Sequence, residues 1–136
     1  MSDRNLVGIV LVSHSARVAE SVAELAQGLA GGGGTVSVAA AGGTTGGGFG
    51  TSAELIAAAA AAVDRGAGVA VLADLGSAVL TVKALLAEGD ELPDNTRLVD
   101  APFVEGAVAA VVTASTGADL GAVEVAATEA YTYRKV

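Results

Sequence analysis

The chain has 136 residues, of which 52% are hydrophobic, 16% charged and 3% aromatic, with a formal net charge of −8 and no cysteine. That length suits one domain with a real core, and residues 1–136 read as a single domain built largely on Ala, Val and Leu. A disulfide framework, a thiol nucleophile and a cysteine metal cluster are excluded, and the acidic balance argues against nucleic acid and anionic membranes, which require a basic footprint.

The N-terminal "MSDRNLVGIVLVSHS" carries an apolar run that His14 interrupts after a few residues, so it reads neither as a secretory signal nor as a membrane span. A reducing cytoplasm is the simplest setting. The run "LVGIVLVS" (6–13) reads as a strand, and its unbroken hydrophobicity suits a strand covered on both faces of a parallel sheet. Val18, Val22, Leu25 and Leu29 then recur at helical spacing.

Glycines at 31–34 make a short connection before a second strand, "TVSVAAA" (35–41). The glycine-rich "AAGGTTGGGFGTS" follows, with Thr51 or Ser52 placed to cap a helix carrying Leu55, Ala59 and Val63. A third strand, "GVAVLAD" (68–74), leads to "SAVLTVKALLAEG", where Gly89 is a helix stop. "TRLVDA" (96–101) reads as a fourth strand, and "VEGAVAAVVTAS" and "LGAVEVAATEA" close the chain as helices. This alternation predicts an α/β protein, a three-layer α/β/α domain with a mainly parallel central sheet.

In open parallel sheets, chemistry gathers outside the carboxyl ends of the strands. Ser13, His14 and Ser15 fall there after the first strand, the glycine-rich loop after the second, and Asp74, Leu75, Gly76 and Ser77 after the third. His14 is the only histidine of the chain. A lone histidine near a core is more often structural than catalytic, but this one ends a strand and precedes a helix whose free N–H groups suit an anion. A neutral imidazole is a good nucleophile toward phosphorus when its other nitrogen has a partner, and Asp74 is placed to be that partner. Asp74 also suits a helix cap, and Ser77 suits either a cap or an oxyanion donor.

Other chemistries fail on inventory. The glycine-rich loop contains no G-x-x-x-x-G-K-[ST], and the chain has no G-x-G-x-x-G. A transition-metal site lacks ligands, and a hydrolase built from Ser13 or Ser15 with His14 and Asp74 lacks a G-x-S-x-G elbow. Glu105 reads as a carboxylate at a helix start, and the C-terminal "YTYRKV" as a solvated end with its tyrosines packed on the body of the domain.

Four stretches are together similar to a known family: "GIVLVSHSARVAESVAELA", "GT" at 50–51, "GVAVLADLGSAVLTVKALL" and "APFVEGAVAAVVTAS". They resemble the DhaM family, the phosphotransferase subunits of PEP-dependent dihydroxyacetone kinase, whose core domain is similar to mannose-type IIA proteins of the sugar phosphotransferase system. The resemblance implies a phosphocarrier in which His14 takes a phosphoryl group from HPr and gives it to ADP on a partner kinase subunit. It implies that Asp74 orients His14, that Ser15, Gly43, Thr51, Gly76 and Ser77 line the phosphate, and that the chain forms homodimers. No permanently bound cofactor or metal is expected. A mannose-type IIA domain of a sugar transporter, or a regulatory anion-binding module with a structural histidine, are the alternatives.

Overall fold

The structure, a computed structural model, describes residues 5–31 and 36–136. Four strands, β1 (Gly8–Ser13), β2 (Val38–Gly42), β3 (Val69–Ala73) and β4 (Thr96–Leu98), form one sheet in the order β2-β1-β3-β4, and every pairing is parallel. The helices are α1 (Ala16–Leu29), α2 (Ala53–Val63), α3 (Gly76–Glu88), α4 (Phe103–Ser115) and α5 (Leu120–Glu129), with a short 3-10 turn over Ala130–Thr132.

β1 runs between β2 and β3 and is buried along its whole length, which is why its sequence is a continuous apolar run and not an alternation. Residues on its two faces serve two cores. Ile9 and Leu11 join Val22, Ala26, Ala107, Val111 and Val123 under α1, α4 and α5. Val10 and Val12 join Ile56, Ala60, Ala78 and Val82 under α2 and α3. The three layers expected from the alternation are therefore present, two helices on one side of the sheet and three on the other.

Several boundaries differ from the sequence reading. β1 starts at Gly8, not Leu6, because Leu6 and Val7 are buried before pairing begins. β2 lies later than expected and ends at Gly42, while Thr35 and glycines 32–34 fall outside the described residues. β4 keeps three ladder residues, although Val99 N–H still donates to Val71 O at 2.8 Å. On α1 the buried positions are Ala19, Val22, Ala23 and Ala26; Val18, Leu25 and Leu29 face outward. Small alanines let this helix sit close to the sheet, with Val22 as the one larger residue of the stripe in the contact and Val18, Leu25 and Leu29 flanking it.

Helix starts are set by hydroxyl and carboxylate caps. Ser15 caps α1 by accepting from Val18 N–H at 3.3 Å, Ser52 caps α2 through Leu55 N–H at 3.1 Å, and Asp119 caps α5 through Ala122 N–H at 2.9 Å. Such caps are each worth about 1 kcal/mol. At the end of α3, Gly89 takes φ +85°, the left-handed stop anticipated from its sequence position.

Candidate functional site

With the order β2-β1-β3-β4, the connections leave β1 and β3 in opposite directions, and the crevice between their carboxyl ends is where open α/β sheets place ligands. His14 follows β1 and Asp74 follows β3. The parallel pairing of Val12 with Ala73 brings the two residues side by side.

Asp74 is the hub. Its Oδ1 accepts from His14 Nδ1 at 3.0 Å and from Leu75 N–H at 2.7 Å. Its Oδ2 accepts from the Ser13 hydroxyl at 2.8 Å and from His14 N–H at 3.1 Å. Burial pushes the Asp74 carboxyl up, but the hydrogen bonds from Ser13, from the ring and backbone of His14 and from Leu75 outweigh it and hold the group below its ordinary value. An ionised carboxylate only accepts, so Nδ1 of His14 carries the proton. The lone pair of the neutral ring then lies on Nε2.

Nε2 points at the start of α3, where the hydroxyl of Ser77 is in hydrogen-bonding contact with it. The imidazole is thus held at both nitrogens, and about a quarter of the side chain remains exposed. The ring is therefore only partly covered at the sheet's carboxyl edge. Two helices begin beside it, α1 at Ala16 and α3 at Gly76, and their first-turn N–H groups and dipoles favour an anion between them.

The other expected residues are placed unequally. Gly76 and Ser77 begin α3 next to the ring. The side chain of Ser15 is occupied as the α1 cap, and its N–H donates to the Ser13 hydroxyl at 3.1 Å. Gly43 lies at the base of the loop, where its N–H donates to Ser13 O at 3.0 Å. Its φ of +71°, and the 2.6 Å that would separate a Cβ from Gly48 O, leave room for glycine alone. Thr51 makes no hydrogen bond to His14. Its hydroxyl meets that of Thr81 at 3.1 Å, and since Thr81 already donates to Ser77 O at 2.9 Å, Thr51 is the donor.

Asp74 is not a side-chain cap for the interior of α3, because the N-cap position belongs to Leu75 and has no side-chain bond. Ser13 and His14 both bind Asp74, so no serine of β1 is poised on the imidazole.

Three roles were not read from the sequence. Ser13, 1% exposed, clamps the second oxygen of Asp74. Gly50 N–H donates to the backbone carbonyl of His14 at 2.9 Å and ties the glycine-rich loop to the histidine. Thr81 joins the end of that loop to the first turn of α3. For Ser13 a signal existed, since it is the one polar residue inside the strand's burial; for Thr81 there was none.

Fold and site together define an open parallel α/β domain with one carboxylate-held histidine at the reversal point of its sheet. Residues 8–124 match the family model EIIA-man, the PTS system fructose IIA component, and the chain belongs to that family. It is 38% identical over 117 residues to the phosphoryl donor subunit DhaM of the PEP-dependent dihydroxyacetone kinase of Escherichia coli, covering 85% of this chain and 25% of that protein. The DhaM subunit of Pantoea ananatis is 38% identical over 120 residues, covering 87% of this chain and again 25% of the relative. This chain therefore spans about a quarter of the length of these relatives. Among solved structures, a protein of unknown function superposes with TM-score 0.80 at 30% identity, covering 91% of this chain and 94% of the other. A sigma-54 interaction domain protein from Enterococcus faecalis, at 19% identity and TM-score 0.69, shares the fold.

Proposed function

We propose that this protein is a phosphohistidine relay that accepts a phosphoryl group from HPr on His14 Nε2. It then donates the group to ADP held on a partner subunit of PEP-dependent dihydroxyacetone kinase. The observation that carries this reading is the line Asp74–His14–Ser77, in which one ring nitrogen is fixed by a carboxylate and the other is aimed at the rim.

In the accepting step the Nε2 lone pair attacks phosphorus and an N–P bond forms while the donor's own N–P bond breaks, its electron pair staying on the donor imidazole. The ring of His14 becomes cationic, and Asp74, still ionised, balances that charge through Nδ1–H. The Ser77 hydroxyl, which donates to Nε2 at rest, is displaced and turns to a phosphoryl oxygen. The first-turn N–H groups of α1 and α3, with Ser15, Gly43, Gly76 and Thr51 behind them, make up the anion's surroundings. In the donating step a β-phosphate oxygen of ADP attacks the same phosphorus and the bond to Nε2 breaks. No metal or resident cofactor is assigned to this chain; the phosphoryl group is the cargo.

As an enzyme subunit of this kind it would work in the cytoplasm, with residues 8–124 as its phosphocarrier domain. No helix among the described residues is long and apolar enough to cross a membrane. The names of the relatives at 35–38% identity support the kinase pathway. A second reading, a IIA domain serving a sugar transporter, is favoured by the family's description as a IIA component. A homodimer is part of the proposal. It is supported by an apolar groove of about 450 Å³ between α1 and α4, lined by Leu25, Leu29, Val104, Val108, Val112 and Tyr133.

The experiment is incubation with enzyme I, HPr and labelled phosphoenolpyruvate, followed by addition of the kinase subunits, ADP and dihydroxyacetone. Label on this chain that drains into dihydroxyacetone phosphate is the expected result. Label that stays on the chain with kinase subunits present supports the sugar-transport reading, and no label on the chain supports a regulatory module.

A further inference from the structure

The rim around His14 has an apolar component that the chemistry does not use. Phe49 is 86% exposed and is the one large side chain in the run GGTTGGGFG. Its loop is closed on itself, with Thr44 N–H donating to Gly48 O, Gly47 N–H to Thr44 O and Gly48 N–H to the Thr44 hydroxyl, each at 3.0 Å. The next residue, Gly50, donates to the backbone carbonyl of His14. The ring is therefore held out to solvent by an internally bonded loop fastened to the histidine itself.

Two more exposed apolar side chains stand in the same relation to the site. Leu75, 61% exposed, follows Asp74 and bonds its carboxylate through N–H. Leu80, 66% exposed, precedes Thr81, which meets Thr51 at the foot of the loop. Each of the three is next in sequence to a member of the network around the imidazole.

We infer that Phe49, with Leu75 and Leu80, forms the docking surface for the phosphoryl donor. That donor is a phosphocarrier protein that presents its phosphohistidine from within an apolar patch on a surface of positive net charge. The inference rests on the phosphorelay reading. Direct transfer brings the donor's phosphorus onto Nε2, so the donor surface around its own phosphoryl group must lie across whatever borders Nε2. The exposed large apolar side chains next in sequence to the groups that hold the ring are Phe49, Leu75 and Leu80, and apolar side chains gain only by being covered. The formal net charge of −8 draws a cationic partner at long range, while the rim supplies the short-range contact. A rigidly presented aromatic at the centre of a contact is the usual anchor of such an interface.

The test compares wild type with Phe49→Ala, Phe49→Leu and, as a control on the outer face of α5, Val125→Ser. HPr phosphorylated by enzyme I and phosphoenolpyruvate is the donor, and calorimetric titration with unphosphorylated HPr is a second measurement. Phe49→Ala is expected to raise KM for phospho-HPr and the Kd for HPr about tenfold at nearly unchanged kcat, the usual size of an anchor's loss. Phe49→Leu should recover most of the affinity, and Val125→Ser should match wild type. A wild type that takes label while Phe49→Ala keeps its KM and Kd overturns this inference and leaves the relay standing. A loss confined to kcat also overturns it, since the loop would then serve the chemistry. A wild type that neither takes label nor binds HPr overturns the relay and the docking surface together.

Discussion

Two exposed apolar surfaces among the described residues are built differently. The groove between α1 and α4 is continuous: Leu25 and Leu29 from one helix and Val104, Val108 and Val112 from the other, with Glu105 as its one charged lining residue. The rim around His14 is interrupted, its apolar side chains alternating with the hydroxyls, carboxylate and backbone donors of the site. A continuous apolar face resembles a core cut in half and suits a lasting contact between copies; a mixed face suits a partner that arrives and leaves. Exposure alone does not separate the two. What lies between the apolar residues does.

The difference can be broken from either side. The largest expected effect is His14→Ala, which should abolish labelling by phosphoenolpyruvate, enzyme I and HPr while leaving the sedimentation coefficient unchanged. Asp74→Ala comes next. It frees Nδ1 and leaves Ser13 and two backbone donors without their acceptor, so the transfer rate should fall about a hundredfold, with the circular dichroism spectrum retained. On the groove, Leu29→Asp places a charge in the apolar strip and should shift sedimentation toward monomer, with label on His14 reduced by no more than about twofold, since the groove contributes no residue to the site. A transfer rate that collapses in this variant would show that the two surfaces are not separate.

The smallest effect concerns pH. Because Asp74 is held below its ordinary value of 3.8 in the folded protein, its contribution to stability is fully present above that value and is lost as pH falls through the depressed one. The difference in urea midpoint between wild type and Asp74→Asn should be constant from about pH 7 to 5 and shrink below the ordinary carboxylate range near 4. A difference that already narrows between pH 7 and 5 would mean that Asp74 is not the ionised hub described.

Much of the site was legible because it follows from chain order. A buried run that stops at a histidine, and a second that stops at an aspartate, place both residues at one sheet edge once the strands are known to be parallel neighbours. Neighbourhood across strands was less legible. The grip of Ser13 on Asp74 joins residues 61 apart, a separation that no local pattern spans. Thr51 ends the glycine-rich loop, and its side chain meets Thr81, a position no local pattern singles out. On α1 the helical period was correct, but of the four apolar residues that marked it only Val22 is buried, and Ala19, Ala23 and Ala26 complete the buried face. The alanine-rich composition, which fixes how near the helices lie, is the physical reason.

The central claim is that the Asp74-bound ring carries its phosphoryl group on Nε2. Nitrogen NMR of the protein labelled on histidine, recorded before and after phosphorylation by enzyme I and HPr, reads that atom directly. A resting ring protonated at Nδ1 and a product substituted at Nε2 are the results predicted. Substitution at Nδ1, or phosphorylation with the single histidine unmodified, would contradict the account.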